Sequence, residues 1–220
     1  MESFTTLAHP EPEKIDLGVG IKWASFNISA KAPADYGKYY SWGEIETKSS
    51  YAWKSYRWSA DGTESNMTKY NSSDNLSCLT SDDDVASQEL GGSWRTPTAE
   101  EFASLVSCCY WQWFENYRNT GVKGYAVFKA KNNEDRGKRN SETVSATYSP
   151  DNDVHIFLPT AGYASNDEID DVGSNSNYWT SSLSPSSSNS AHYIYFDSEN
   201  IDAGECEKRY YGQSIRPVSD

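Results

Sequence analysis

Tyr193, Tyr195 and Asp197 alternate with His192, Ile194 and Phe196 in a run that reads as a β-strand. The two tyrosines and the aspartate therefore share one face, and Ile194 and Phe196 share the other with His192. If Ile194 and Phe196 enter the core, a tyrosine-lined surface is left for solvent or a ligand. Tyr210 and Tyr211 follow in the next strand-like run, residues 210–218. Tyrosine supplies a rigid ring with a polar tip, and the serines and asparagines around these runs supply adaptable hydrogen bonds. That mixture is the chemistry of non-covalent recognition of a protein or glycan.

Other reactive residue types do not assemble a catalytic set. His155 adjoins the apolar run 156–158 and His192 begins a strand, and without an assignable partner each is expected to be structural or at the surface. The four cysteines, Cys78, Cys108, Cys109 and Cys206, lack CxxC spacing. Buried free thiols are expected, with a disulfide from Cys78 to Cys108 or Cys109 as the alternative. The carboxylates flanking Cys206 disfavour a reactive thiolate. Asp82, Asp83 and Asp84 are contiguous and do not alternate as calcium-loop ligands do, and no glycine cluster forms a phosphate loop. The expectation is a protein that is not an enzyme, with no metal and no cofactor.

The elements that must position the tyrosine face are short and aromatic. Eight Trp, 16 Tyr and 7 Phe in 220 residues supply large buried areas per side chain. Runs of them separated by Asn, Ser, Asp and Gly favour strands and loops. Residues 16–28 read as a first strand pair with Leu17, Val19, Ile21 and Trp23 on one face, and residues 36–44 as a second aromatic strand. Residues 110–117 and 121–130 read as hairpin partners. Residues 156–163 form the most hydrophobic short run, with Pro159 implying an edge or a strand end. Residues 178–182 and 192–197 give further strands. The rings of residues 51–58 either form a surface platform or, the favoured reading, cover the core beneath a long loop.

Two helices are expected. Residues 81–90 combine an acidic first turn, a capping residue at Ser81 and a terminating Gly91. Thr98 followed by Glu101 has the form of a capping box, so a second helix begins at about Ala99, with Phe102, Leu105 and Val106 on its apolar face. Between the two, Trp94, Arg95 and Pro97 read as a scaffold. Residues 1–14 lack periodicity and are expected to be an extended or disordered lead-in, with a single domain over residues 15–220.

The net charge of −13 opposes any phosphate-backbone partner, so no nucleic acid is expected. No apolar run approaches the roughly 18 residues of a membrane span. Residues 1–12 lack the basic and apolar regions of a signal peptide. The Ser, Asn, Tyr and Trp excess nevertheless suits an extracellular or cell-surface protein whose signal or anchor is not in this chain.

An ordered set of motifs carries a resemblance. Asp16-Leu17-Gly18, Tyr39-Tyr40-Ser41-Trp42-Gly43-Glu44, Asp83-Asp84-Val85-Ala86, residues 91–98, residues 156–162, Tyr178-Trp179-Thr180-Ser181-Ser182 and Ser214-Ile215-Arg216-Pro217-Val218 together resemble the major paralogous domain of Fibrobacter and Bacteroidales. The resemblance spans about residues 15–218. It implies an α+β, C-type-lectin-like fold with mixed or antiparallel sheets, two short helices and long loops. That fold is shared with the formylglycine-generating enzyme and with the variable proteins of diversity-generating retroelements, and the resemblance implies a surface or secreted role in bacteria or, alternatively, a receptor-binding role on a phage virion.

The calcium and sugar triplets of animal C-type lectins are absent, and Cys206 lacks the second cysteine of the oxidase relatives. The variable proteins instead diversify their closing strands and loops, here Ser184 to about Gln213. From Ser184 to Gly204 every residue except Glu199 is one that adenine-directed diversification of AAC-type codons can produce, whereas Glu205, Glu207 and Lys208 are not. The ligand-binding residues implied are Ser184, Ser186, Ser188, Asn189, His192, Tyr193 and Tyr195. To these are added Asp197, Asn200, Asp202, Arg209, Tyr210, Tyr211 and Gln213. A structural or adhesin-like subunit is the alternative role, and a formylglycine-generating-type oxidase a more remote one.

Overall fold

The computed structural model describes residues 10–140 and 142–220. In chain order they form β1 (Lys14–Asp16), β2 (Lys22–Ala24), helix α1 (Val85–Leu90), β3 (Trp94–Arg95), α2 (Ala99–Cys108), β4 (Cys109–Phe114) and β5 (Gly124–Lys129). There follow β6 (His155–Pro159), β7 (Tyr163–Ser165), β8 (Glu168–Asp170), β9 (Ser176–Leu183), β10 (Ser190–Phe196), β11 (Ile201–Asp202), β12 (Cys206–Lys208) and β13 (Val218–Ser219). One sheet has the order β1-β2-β13-β3 and another β4-β5-β6; β10 is flanked by β9, β11 and β12, and β7 and β8 form a hairpin. These strand pairs are antiparallel. The protein is thus α+β with short helices.

Alternation explains the central sheet. Trp111, Tyr125, Val127, Ile156 and Leu158 project into one core, while Tyr110, Ala126, Phe128 and Phe157 project into another on the opposite side. Both faces are covered, which is why these runs are rich in rings throughout. Pro159 ends β6, the edge strand of this sheet, where its missing N–H costs no ladder bond. On β10, Ile194 and Phe196 enter the first core beside Tyr178, Phe102 and Leu105.

The second helix begins as its capping box requires. Thr98 Oγ1 accepts from Glu101 N at 3.2 Å, and Thr98 N donates to Glu101 Oε2 at 2.8 Å. Arg95 then clamps the same carboxylate bidentately, at 2.8 and 2.5 Å. The hydrogen bonds from Arg95 and Thr98 hold Glu101 below the ordinary carboxylate range although burial opposes them. For the first helix the capping residue is Asp84, not Ser81, because residues 81–83 form a separate 3-10 turn. Buried Asp84 accepts from Ala86 N at 3.0 Å, Thr96 N at 2.7 Å and Thr96 Oγ1 at 2.6 Å. One carboxylate therefore fixes α1 to the strand that precedes α2.

Several expectations are corrected. Residues 36–44 form no strand: Gly37 and Gly43 have positive φ, and the backbone bonds of Tyr40 and Trp42 go to Gln213 and Arg209. Of residues 210–218, only Val218 lies in a strand. Gly212, Gln213 and Ser214 each bridge to a different neighbour, Ala164, Tyr40 and Tyr178. Gly212 must be glycine because a Cβ there would stand 2.6 Å from the Tyr51 ring. Of the lead-in's two alternatives, residues 10–14 follow the extended one rather than the disordered one: Pro12 is buried, Glu11 accepts from Trp94 Nε1 at 3.2 Å, and β1 starts at Lys14. Residues 1–9 of that lead-in lie outside the described residues. All four cysteines are free, so no disulfide joins Cys78 to Cys108 or Cys109, and only Cys109 is buried. Of the rings at 51–58, Tyr51 and Tyr56 are buried and Trp53 and Trp58 half-buried, as a core cover would be.

Two arginines are fully buried. Arg216 donates to Asn27 Oδ1 and Ala24 O at 2.9 Å and to Phe157 O at 2.7 Å. Arg209 donates to Tyr56 Oη and Ser188 O at 2.7 Å and to Lys69 O at 3.1 Å, and stands 4.8 Å from the Trp42 ring and 5.5 Å from that of Tyr70. Neither guanidinium forms an ion pair among the described residues. Burial pushes the Arg216 guanidinium down to about 10. Arg216→Ala would orphan three buried acceptors and Trp94→Ala would empty a buried ring site. Each should cost about 3–5 kcal/mol, read as a lowered urea midpoint. A midpoint within error of the parent would contradict these roles.

Candidate functional site

Strand register decides what stands beside the tyrosines. Tyr195 pairs with Asn177 of β9 and Asp202 of β11, and Tyr193 pairs with Trp179. On the other side of β10, Ala191 pairs with Glu207 and His192 with Cys206. Tyr193 N also donates to Glu205 O at 3.1 Å. One face of this sheet thus carries Asn177, Tyr193, Tyr195 and Glu207, and the other carries Tyr178, Ile194 and Phe196 toward the core.

The polar face is closed into a hollow by residues from outside it. Tyr163 of β7, Asp171 and Asn175 of the turn before β9, and Tyr211 join Asn177, Tyr193, Tyr195 and Glu207 around a cavity of about 210 Å³. Tyr163 meets Tyr211 edge-on at 5.7 Å, and Tyr211 stacks on Tyr210 at 4.5 Å. Tyr210 meets Trp53 edge-on at 4.9 Å. The aromatic wall is therefore braced from behind, and Tyr193 is braced by Trp179 at 6.2 Å.

Within the hollow, polar capacity is left over. Asn177 is only 8% exposed, yet its Oδ1 has no hydrogen-bond partner, and neither has Oδ1 of Asn175. Asn175 Nδ2 donates to Asp171 Oδ2 at 3.1 Å. Buried acceptors without donors cost free energy, so their coincidence with a cavity marks a place where a ligand can supply what the fold does not. Larger clefts exist: about 660 Å³ beside Phe114, Arg118 and Pro150, about 440 Å³ between residues 10–12, 26–30 and 89–90, about 420 Å³ beside Glu44 and Arg57, and about 400 Å³ beside Tyr39 and Tyr51. None of these is lined by an unpartnered buried side chain among the described residues. The smaller hollow is the better site on chemistry.

Its electrostatics are negative. Burial, and then the charges of Glu207, Glu205 and Asp202, raise the Tyr193 hydroxyl above its ordinary range. Burial, the hydrogen bond to Asp197 and the charges of Asp197 and Asp171 push Tyr195 up to about 12. At neutral pH both hydroxyls are protonated. Tyr195 donates to Asp197 Oδ2 at 2.8 Å.

The expected site residues separate. Tyr193, Tyr195 and Tyr211 come together. Arg209 and Gln213 are corrected from ligand contacts to interior residues, both fully buried. His192 is corrected too: it turns to the other face, with Nδ1 3.4 Å from Cys206 Sγ. Ser184 is buried and bonded to Ser186 Oγ at 3.1 Å. Ser188 and Asn189 serve the interior, giving their carbonyls to Arg209, while Asn189 Oδ1 accepts from Ser187, Ser190 and Lys208. Asp197 and Asn200 form a closed turn, and Asp202 caps Gly204 N. Tyr210 supports the wall without lining it.

Sequence reasoning missed Tyr163, Asp171, Asn175, Asn177 and Glu207. Period-two alternation in residues 176–183 could have found Asn177, one face away from Tyr178; the others depend on tertiary placement. It also missed Cys108, whose thiol is held below its ordinary range chiefly by a hydrogen bond from Arg136 at 2.8 Å. His155 is structural, between Tyr117 Oη at 2.7 Å and Asp153 O at 2.8 Å.

No protein-family model matches the chain, and no curated protein or solved structure matches it.

A raised tyrosine pKa stabilises the fold fully below the unfolded value of 10, and that contribution is lost as pH rises from 10 through about 12. The urea midpoint should fall across this window, and Tyr195→Phe should fall less steeply than the parent. Parallel curves would contradict the half-buried, carboxylate-facing position of Tyr195.

Proposed function

We propose that the protein is a non-catalytic recognition module of the C-type-lectin-like class, similar to the variable proteins of diversity-generating retroelements, acting on a bacterial surface or a phage. The observation that carries this is the tyrosine hollow: braced rings, carboxylates and partnerless buried amide oxygens converge on one cavity. Such a surface binds through contact and hydrogen bonding. It holds no nucleophile set beside a base: the Cys206–His192 pair lies on the opposite face of the sheet. The ligand is a group on a protein or glycan.

The antiparallel sheets and two short helices are compatible with this fold class, and the motif resemblance supports the finer assignment. Diversification of AAC-type codons within residues 184–213 would alter Tyr193, Tyr195 and Tyr211 but leave Tyr163, Asp171, Asn175 and Asn177 constant, and with them Glu207, a residue such codons do not produce. The hollow would then have one variable and one fixed wall. A near-copy of the codons for residues 184–218, differing at adenines beside a reverse transcriptase gene, is the genetic mark of that arrangement.

The direct test is a protein and glycan array probed with the full chain, Tyr195→Ala and Tyr211→Ala. The variants should lose about tenfold or more in affinity for any ligand found, with urea midpoints that show them folded. Undiminished binding by both variants would contradict the proposal. Self-association by light scattering that is lost in the same variants would favour the structural-subunit role instead.

A further inference from the structure

The hollow's charge is one-sided. Two residues of its lining, Asn175 and Asn177, carry buried acceptors without partners at Oδ1. Its charged walls are the carboxylates of Asp171 and Glu207, and among the described residues no lysine or arginine lines it. The remaining lining is the rings of Tyr163, Tyr193, Tyr195 and Tyr211. Acceptors, negative charge and π faces are each complementary to a cation that carries only donors.

Size narrows the ligand further. About 210 Å³ is less than the roughly 300–1,000 Å³ of pockets that enclose a whole small-molecule ligand. A single side-chain head group fits that space better than an oligosaccharide does. Of the two common side-chain cations, guanidinium is planar and weakly hydrated, stacks on aromatic faces and presents donors in a fork that spans two acceptors. Ammonium is a compact and strongly hydrated point charge, which a partly closed aromatic hollow solvates poorly.

The geometry points to an arginine side chain of a partner protein as the group bound in the hollow formed by Tyr163, Tyr193, Tyr195, Tyr211, Asp171 and Glu207. This rests on the recognition function proposed above and specifies its ligand. The guanidinium stacks on the tyrosine wall and donates to the carboxylates and to the Asn177 amide oxygen. The chain's own Arg209 shows that this protein already solvates a guanidinium with rings and carbonyl oxygens, standing among Trp42, Tyr56 and Tyr70 at 4.8–5.5 Å. The hollow repeats that chemistry at the surface with carboxylates added.

The test titrates the full chain with Nα-acetyl-arginine amide, its lysine counterpart and the neutral isostere Nα-acetyl-citrulline amide, followed by backbone amide shifts in NMR. The arginine probe should give saturable shifts at Asn177, Tyr193 and Tyr211 with a dissociation constant of about a millimolar. The lysine probe should bind at least about fivefold more weakly, and citrulline should not saturate. Glu207→Gln and Asp171→Asn should each weaken arginine binding by about threefold to tenfold. Citrulline binding as tightly as arginine, lysine binding more tightly, or no saturable arginine shift would each overturn the assignment. If the arginine probe fails while an array ligand still binds and depends on Tyr195, the guanidinium assignment alone is wrong. If the array ligand is indifferent to Tyr195 and Tyr211, the recognition function beneath it fails as well.

Discussion

Two guanidinium groups lie in the interior with no carboxylate in contact among the described residues, and much of the molecule is arranged to solvate them. Removing a cation from water costs several kcal/mol even after relaxation. For Arg216 that cost is offset by oxygens of Ala24, Asn27 and Phe157, drawn from two segments far apart in sequence. For Arg209 it is offset by Lys69, Ser188 and Tyr56 oxygens and by the rings of Trp42, Tyr56 and Tyr70. Uncharged acceptors are weaker partners than a carboxylate, so several must be aimed at once. The long irregular segments are ordered because they carry those acceptors.

That constraint reaches the candidate site. Arg209 immediately precedes Tyr210 and Tyr211, and its anchoring sets where their stacked rings stand. Trp53 backs Tyr210 from the 3-10 turn just before Tyr56, an oxygen partner of the same arginine. On the sheet side, Ile194 and Phe196 are locked in the main core, which holds Tyr193 and Tyr195 outward in register with Trp179 and Asn177. Both walls of the hollow are therefore fixed before any ligand arrives. Such preorganisation reduces the ordering cost of binding.

What could be read in advance follows the range of each interaction. The Thr98–Glu101 box, the hairpin of residues 109–129 and the inward pair Ile194 and Phe196 are local patterns, and the structure has them. Residues 36–44 and 210–217 carry the same strand-like composition but form isolated bridges instead. Their backbone partners are chosen by tertiary contacts such as Tyr40 with Gln213, which no local period encodes. Arg209 falls among the implied ligand contacts through its place in the segment that the variable proteins diversify, and since arginine is seldom buried without a carboxylate, nothing beside it in sequence marks it as interior. Its aromatic surroundings come from residues 42, 56 and 70, and only folding assembles them. Asn177 and Glu207 escaped notice for a related reason: each belongs to the site through cross-strand register, which neighbouring sequence does not reveal.

The interior arginines are best tested by NMR observation of the Nε–Hε groups of Arg209 and Arg216 during hydrogen exchange. If both guanidinium groups are held by interior oxygens, their Hε signals persist at neutral pH and exchange only as slowly as the most protected core amides, those of β5 and β10. Signals that exchange as fast as those of exposed Arg57 or Arg136 would mean that water reaches these groups, and that the irregular segments and the hollow they frame are not held as described.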